Sequence, residues 1–448
     1  MRNSNGKTSA SLNQDEFIQP QTSDMNYTTD RDFALAADRE DTLRTFRDQF
    51  HIPVIGEKES IYFCGNSLGL QPKSTGEYIR RELDEWGRLG VEGHFDSRNP
   101  WLYYHKFVQK QLAEVVGARP AEVVAANSLT VNLHLLFRTF YQPEGIKTKI
   151  LVEENPFSSD WYALQSQVQL HGLEPEQCII ELQSDANSQY LSTESILRTI
   201  DRHHEELAMV FLGGVNYLSG QAFDMAAIIR HAHQYDIIVG LDLAHAAGNL
   251  DLRLHDWEAD FAVWCSYKYL NSGPGGTGGY FIHEKHATNK NLPRLAGWWG
   301  HEEETRFRMS KEFVPAGSAE GWQLSNAPVL SLAAQWASLD IFQEAGMTRL
   351  RQKSIRLTSY LEFLLQELIL KTENPFGIRI ITPANPQERG CQLSLKIERN
   401  GRELYQKLGK NGYIVDFRNP DIIRVSPTPL YNRFSDVYSF VHFLKELS

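Results

Sequence analysis

Between residues 149 and 283, short apolar runs alternate with segments of helical length, and this alternation narrows the fold more than any other feature of the chain. The runs are Lys149–Glu153 (KILVE), Ala208–Leu212 (AMVFL), Ile237–Leu243 (IIVGLDL), Phe261–Cys265 (FAVWC) and Gly279–His283 (GYFIH). They are near-continuously apolar, as strands covered by helices on both faces must be. Between them lie Ser159–His171 and Asp224–Gln234; in the second, Met225, Ile228, Ile229 and Ala232 recur at helical spacing. The pattern predicts βαβ units and a mainly parallel α/β sheet. Beyond Pro328 two long helical stretches precede short strand candidates at Gly377–Ile381, Gln392–Ile397, Tyr413–Phe417 and Ile422–Val425, with a turn at Asn411-Gly412 and a closing helix (SDVYSFVHFLKEL). That reads as a smaller α+β unit. Residues 1–30 are rich in Ser, Asn, Gln, Asp and Thr, the composition of a flexible leader. From Asp38, DREDTLRTFRDQF reads as a helix with Leu43, Phe46 and Phe50 on one face. The expected organisation is a leader at 1–30, a segment at 31–85 joining the small domain, a large domain at 86–327 and a small domain at 328–448.

Several function classes are disfavoured. Among 448 residues, 45 basic against 56 acidic side chains leave a net charge of −11, which argues against a nucleic-acid surface. No window approaches the ~20 apolar residues of a membrane span, and MRNSNGKTSASLNQ lacks the apolar core of a secretory signal. Cys64, Cys178, Cys265 and Cys391 are dispersed and form no C-x-x-C pair, so they read as buried hydrophobes in a reducing cytoplasm. His203-His204, His231 with His233, and His283 with His286 lack an evident third ligand, so no metal is expected and they read as solvated surface residues.

The chemistry concentrates in Trp264-Cys-Ser-Tyr-Lys-Tyr-Leu-Asn-Ser-Gly-Pro-Gly-Gly-Thr-Gly-Gly279. Lys268 follows an apolar strand and precedes a glycine-rich stretch, which suits a Schiff-base lysine, although such a lysine also marks where a strand meets solvent. Asp242 ends the IIVGLD strand, where open α/β sheets bind ligands; alone, it would serve equally as a helix N-cap. Together they are the pair a pyridoxal 5'-phosphate (PLP) site needs, a lysine for the aldehyde and a carboxylate for the pyridine nitrogen. Gly273-x-Gly275-x-x-Gly278 matches a dinucleotide-binding pattern, but a strand follows it where that motif requires a helix. These glycines read instead as close backbone packing or a hairpin-like turn.

Asp242-Leu-Ala-His-Ala246 with Trp264-Cys-Ser-Tyr-Lys-Tyr-Leu-Asn271 resembles the kynureninase family, fold-type-I PLP enzymes of the aminotransferase class V kind. The resemblance extends through Phe63-Cys-Gly-Asn-Ser-Leu-Gly-Leu-Gln-Pro72, Thr130-Val-Asn-Leu-His134, Phe157-Ser-Ser-Asp160, Leu254-His-Asp-Trp257, Gly297-Trp-Trp-Gly-His301, Arg389-Gly-Cys-Gln392 and Arg424-Val-Ser-Pro-Thr-Pro-Leu-Tyr-Asn432. It implies a large domain with a mainly parallel sheet, a smaller α+β domain, and a homodimer whose subunits share active sites. By the same resemblance Lys268 holds the cofactor and shuttles protons, Asp242 pairs with the pyridine nitrogen, and Asp160 and His245 support it. Phe157 stacks on the ring, with Ser158 and Ser159 in the same cofactor-binding segment. Leu129, Thr130 and Tyr267 serve the phosphate, with Tyr267 also a proton relay. Trp298 and Asn326 come from the second subunit. Arg424 clamps the substrate carboxylate, and Ser67, His94 and Asn326 line the slot for the aromatic ring. Two positions depart from the family: Gly213 stands where a small hydroxyl residue is common, and Ser158 where a proline is usual. The activity implied is hydrolysis of L-kynurenine or its 3-hydroxy form to an anthranilate and L-alanine, in tryptophan degradation and NAD biosynthesis. The alternatives are another class V enzyme, such as a transaminase or a cysteine desulfurase with Cys391 as nucleophile, or a catalytically silent binding protein.

Overall fold

The computed structural model describes residues 26–184 and 190–447. The leader expected at 1–30 therefore falls mostly outside the described residues; within it, Tyr27 packs its ring against Phe33, Tyr360 and Phe363.

A seven-stranded sheet forms the centre. Its strands are β1 (Val123–Ala125), β2 (Lys149–Val152), β3 (Ile179–Glu181), β4 (Leu207–Gly213), β5 (Ile238–Asp242), β6 (Phe261–Trp264) and β7 (Gly279–Ile282), in the order β1-β7-β6-β5-β4-β2-β3. Strands β2 to β6 run parallel, and β7 lies antiparallel between β1 and β6. Successive residues feed opposite cores. Ile150, Val152, Met209, Phe211, Phe261 and Val263 meet the helices Leu129–Phe140 and Ser158–Leu170. Leu151, Val210, Leu212, Val239, Leu241 and Ala262 meet Tyr104–Val116, Met225–His233 and Val329–Ala345 on the other face. This two-sided burial is why the strands read as unbroken apolar runs. Gly240 is required by packing, because a Cβ there would lie 2.1 Å from the Phe261 ring.

The smaller unit carries an antiparallel sheet of β8 (Ile378–Ile380), β9 (Leu393–Ile397), β10 (Asp416–Arg418) and β11 (Ile422–Val425), ordered β8-β9-β11-β10. The helices Met347–Lys371 and Phe434–Glu446 cover it. The single strand expected at Tyr413–Phe417 is two: Tyr413–Ile414 leaves this sheet to pair in parallel with Ile61–Tyr62, and Asp416–Arg418 stays.

Three further features differ from the sequence pattern. The helix expected from Asp38 is instead Arg31–Glu40, stopped where the Asp41 carboxylate accepts the Leu43 N–H, and a 3-10 segment, Arg44–Gln49, follows. Leu43, Phe46 and Phe50 are buried all the same. The hydrophobic core changes between Leu350 and Leu357, so the Val329–Ala345 helix packs on the large unit although a boundary at 328 would assign it to the small one. Segment 31–85 divides its contacts: Ala34, Ala37 and Phe63 enter the small core, and Leu43, Phe46, Phe50 and Leu70 the large one. Among the described residues no helix is long and apolar enough to cross a membrane.

Candidate active site

The carboxyl ends of β2, β4 and β5 and the turn after β6 converge on one cavity, lined by Glu153, Phe157, Asp160, Gly213, Tyr217, Asp242, His245 and Lys268 among others. This is where ligands bind in open α/β sheets. Asp242 is the last residue of β5, and one of its oxygens accepts the Ala244 N–H at 2.7 Å. Lys268 reaches across to within 3.0 Å of His245 Nε2. Asp160 lies in the first turn of the Ser158–Leu170 helix.

Burial sets the charges here. It lifts the carboxyls of Asp160 and Asp242 together, and the Asp242 charge lifts Asp160 much further. Lys268 and the Ala244 N–H oppose the rise at Asp242, so Asp160 is the further lifted of the pair. Burial, reinforced by Lys268, holds His245 well below the usual imidazole range; neutral, it accepts from Lys268 through Nε2 and carries its proton on Nδ1. Burial raises the Tyr267 phenol, which stays a hydroxyl.

Two helix N-termini meet beside this cavity. Leu129 and Thr130 open the Leu129–Phe140 helix, Ser158 and Ser159 open the Ser158–Leu170 helix, and the Thr130 and Ser159 hydroxyls lie 2.8 Å apart. Paired N-termini with adjacent hydroxyls suit a phosphate. Phe157, the N-cap of the second helix, is 42% exposed and meets the Tyr217 ring edge-on. Arg424 is fully buried; its Nε donates to Asp416 at 2.6 Å and its Nη1 to the Tyr217 carbonyl at 2.7 Å. Asp160 Oδ1, His245 Nδ1 and Arg424 Nη2 are buried without partners. An acceptor, a donor and a cationic donor left open are the complement of an anionic, heteroaromatic ligand and a carboxylate, so these residues fit PLP and an amino acid.

The remaining expected residues lie elsewhere. His94 and Asn326 line a separate cleft of about 400 Å³ with Trp86, Trp101 and Pro328. Trp298 is 47% exposed and donates to the Arg306 carbonyl. Within one chain, none of the three lines the Lys268 cavity. Ser67 sits in a loop docked on the lysine segment, where Gly69 N–H donates to the Tyr267 carbonyl. A Cβ at Gly69 would fall 2.3 Å from the Lys268 carbonyl oxygen. Sequence reasoning missed Glu153, Asn216, Tyr217 and Asp416. A signal existed for Glu153: like Asp242, it is an acid at the carboxyl end of an apolar strand. Gly213 carries no hydroxyl, but its N–H donates to Glu153.

The competing motifs resolve structurally. The glycine run connects antiparallel β6 and β7, with Gly278 N–H donating to the Asn127 carbonyl, so no dinucleotide turn forms. Glu122, His255 and His283 do gather, a grouping the histidine spacing does not reveal. Their contacts are internal: His255 Nδ1 bonds Glu122, Arg119 N–H and Glu284 N–H also donate to Glu122, and His283 bonds the Lys285 N–H and the His255 carbonyl. The other histidines are not merely solvated; His231 pairs with Asp201, and His233 and His286 with Asp260. Cys391 is fully buried, and its thiol is pushed up to about 12 by that burial, the reverse of a mobile nucleophile.

The fold aligns with a cysteine desulfurase from Thermococcus onnurineus (TM-score 0.71, 17% identity, 87% of this chain and 94% of that one) and one from Escherichia coli (0.72, 16%, 90% and 98%). It also aligns with a C-DES variant bearing glycine covalently linked to its PLP cofactor (0.70, 18%, 86% and 96%). These likenesses show the fold-type-I α/β architecture, and the chain carries an aspartate and a lysine at neighbouring strand ends of its sheet. Residues 350–444 match the family model of the kynureninase C-terminal domain. Kynureninases from Myxococcus xanthus (54% identity over 415 residues, 92% of this chain and 96% of the relative) and Koribacter versatilis (48% over 416, 93% and 97%) align over almost the whole length. The chain belongs to the kynureninase family, hydrolases of carbon–carbon bonds that use PLP.

Proposed function

We propose that this chain is a cytoplasmic homodimer that hydrolyses 3-hydroxy-L-kynurenine, and L-kynurenine more slowly, to a (3-hydroxy)anthranilate and L-alanine on the route from tryptophan to NAD. The observation that carries this reading is the meeting of Lys268 and Asp242 in one cavity, with the half-paired Arg424 hydrogen-bonded to the carbonyl of Tyr217, which lines that cavity, in a chain of this family.

PLP supplies a carbonyl that captures the substrate amine and a protonated ring that draws electrons from Cα. Asp242 would keep the proton on the ring nitrogen, with Asp160 beside it lifted by burial and by the Asp242 charge. Leu129, Thr130 and Tyr267 would hold the phosphate, Ser158 and Ser159 would add helix N-terminal contacts to the cofactor, and Phe157 would offer its ring for stacking. Lys268 takes the Cα proton and returns it; neutral His245 beside it accepts a hydrogen bond without competing for charge. Arg424, braced by Asp416, offers its open Nη2 to the substrate carboxylate. Water adds to the side-chain carbonyl, and the Tyr267 hydroxyl donates to the oxygen where negative charge develops. The Cβ–Cγ bond then breaks, leaving the carboxylic acid on the aromatic fragment and a carbanion at Cβ that takes a proton.

The dimer explains the residues that one chain leaves apart. Trp298 and Phe307 pack edge-to-face on the surface, with Met309 exposed nearby in sequence, and Trp86 in the His94 cleft is exposed, as are Val91 and Phe95. Trp298 and Asn326 of one copy completing the other's site would cover both. Mixing Lys268→Ala and Asn326→Ala chains, each inactive alone, is expected to restore part of the activity, because one of the two hybrid sites carries neither lesion; no recovery in verified heterodimers rejects shared sites. For substrate choice, kcat/KM is measured for both kynurenines by product fluorescence. A preference for 3-hydroxykynurenine is expected, and equal or better use of plain kynurenine overturns it.

A further inference from the structure

Glu153 takes no part in the steps above, yet it sits fully buried between the Asp242 cluster and the loop that carries Tyr217. Its Oε2 accepts the Gly213 N–H at 2.9 Å and its Oε1 the Asn216 Nδ2 at 3.3 Å. Asn216 Oδ1 in turn accepts the N–H groups of Leu218 and Ser219 and the Ser219 hydroxyl, which ties the turn together. The Tyr217 carbonyl, inside that turn, accepts Arg424 Nη1 and Gln392 Nε2. Hydrogen bonds together with the Tyr217–Leu218 peptide thus link Glu153, beside the other two carboxyls, to the arginine.

We infer that Glu153 is a positioning residue for the substrate carboxylate, fixing the Gly213–Ser219 loop through Gly213 and Asn216 and, through the Tyr217 carbonyl, the aim of Arg424. The inference rests on Arg424 being the carboxylate anchor. It deepens that reading by making the anchor respond to protonation. As a carboxylate, Glu153 accepts both donors. As an acid it spends one oxygen on its own proton, and Asn216 has no spare acceptor for it, since Oδ1 already takes three donors. One link is then lost and the loop slackens. Burial, with the Asp242 charge adding to it, pushes the Glu153 carboxyl up to about 7, against the pull of Gly213 and Asn216. Facing it are Asp242 from β5 and Asp160 from the Ser158–Leu170 helix, with His245 and Lys268 across the cavity and Arg424 beyond the loop.

The test uses the PLP-loaded enzyme and its Glu153→Gln and Asn216→Ala variants. Amide hydrogen exchange over residues 213–221, corrected for intrinsic rates, is followed from about pH 5.5 to about pH 8, the window around a titration near neutrality. Wild-type protection is expected to rise with pH; in Glu153→Gln it is expected to be flat, and in Asn216→Ala low throughout. At high pH, Glu153→Gln is expected to raise KM for kynurenine about three- to tenfold, the value of one net hydrogen bond, with kcat within about twofold. The same rise of protection in Glu153→Gln, or an unchanged KM, overturns the inference. Arg424→Lys separates the two readings: if it leaves KM unchanged, the anchor assignment fails, while the exchange data still judge the Glu153 link alone.

Discussion

Asp242 and Asp260 are buried aspartates on neighbouring strands of one sheet, and their surroundings are opposite. Asp260 enters β6. Burial works against its charge, but His233 at 2.9 Å, His286 at 2.7 Å, Lys285 at 2.9 Å and the Val239 N–H at 2.7 Å outweigh it and hold the carboxyl well below its ordinary range. Asp242, at the exit of β5, has two other carboxyls for neighbours, one partner N–H and one lysine, and is lifted. One end of the sheet has matched its charge internally, which is what stability requires. The other end keeps a charge short of partners, and that is the state in which a cationic ring nitrogen binds strongly. The same residue type thus serves cohesion at one end and chemistry at the other.

Lys268→Ala strikes the reactive end hardest. Turnover is expected to fall at least about a thousandfold, within the range of positioned acid–base groups, while the protein stays folded and the borohydride-reducible adduct disappears. A reducible adduct at another lysine with full activity would break the assignment. Asp242→Asn is expected to cost about a hundredfold or more in kcat, the scale of losing a preorganised charge, with a urea midpoint no lower than wild type, because a strained buried charge is removed. Asp260→Asn is expected to do the reverse: a loss of about 3 kcal/mol of stability, as when a buried ion pair is broken, with kcat/KM within about twofold. Its pH signature has a definite sign. A carboxyl depressed in the folded state adds stability above its unfolded value of 3.8 and loses it as pH falls through the folded one. Wild-type urea midpoints should therefore drop steeply between about pH 4 and about pH 2, and Asp260→Asn should flatten that drop. If both aspartate variants behave alike, the contrast between the two ends is wrong. The smallest effect lies in the His94 cleft. Asn326→Thr with His94→Trp is expected to narrow or reverse the preference for 3-hydroxykynurenine by about 1–3 kcal/mol, read as a ratio of kcat/KM values.

The alternation of apolar strands and amphipathic helices was legible because two-sided burial leaves its mark on every residue of a strand; β4 to β7 lie within a residue or so of their expected bounds. The three-residue strands β1 and β3 gave too short a run to detect, and β7 ran against the parallel expectation because strand direction is set by the connection after Lys268. Lys268 and Asp242 were legible for a related reason: a charged residue ending an apolar strand stands out from its own neighbours. Glu153 satisfied that rule too, but its partners Gly213 and Asn216 lie some sixty residues away and reach it only because β2 and β4 are adjacent in the sheet.

The sequence by itself determined the layered fold, a lysine and an aspartate at the ends of neighbouring strands, and through its motifs the family. These are properties of local periodicity and of residues at element ends. Only the tertiary structure decided that Asp160 is lifted further than Asp242, that Arg424 is braced by Asp416 and the Tyr217 carbonyl, and that His94 and Asn326 share a cleft apart from Lys268. A charge state is a sum of desolvation and fields from groups on different elements, and no stretch of chain holds that sum before the strands are brought side by side.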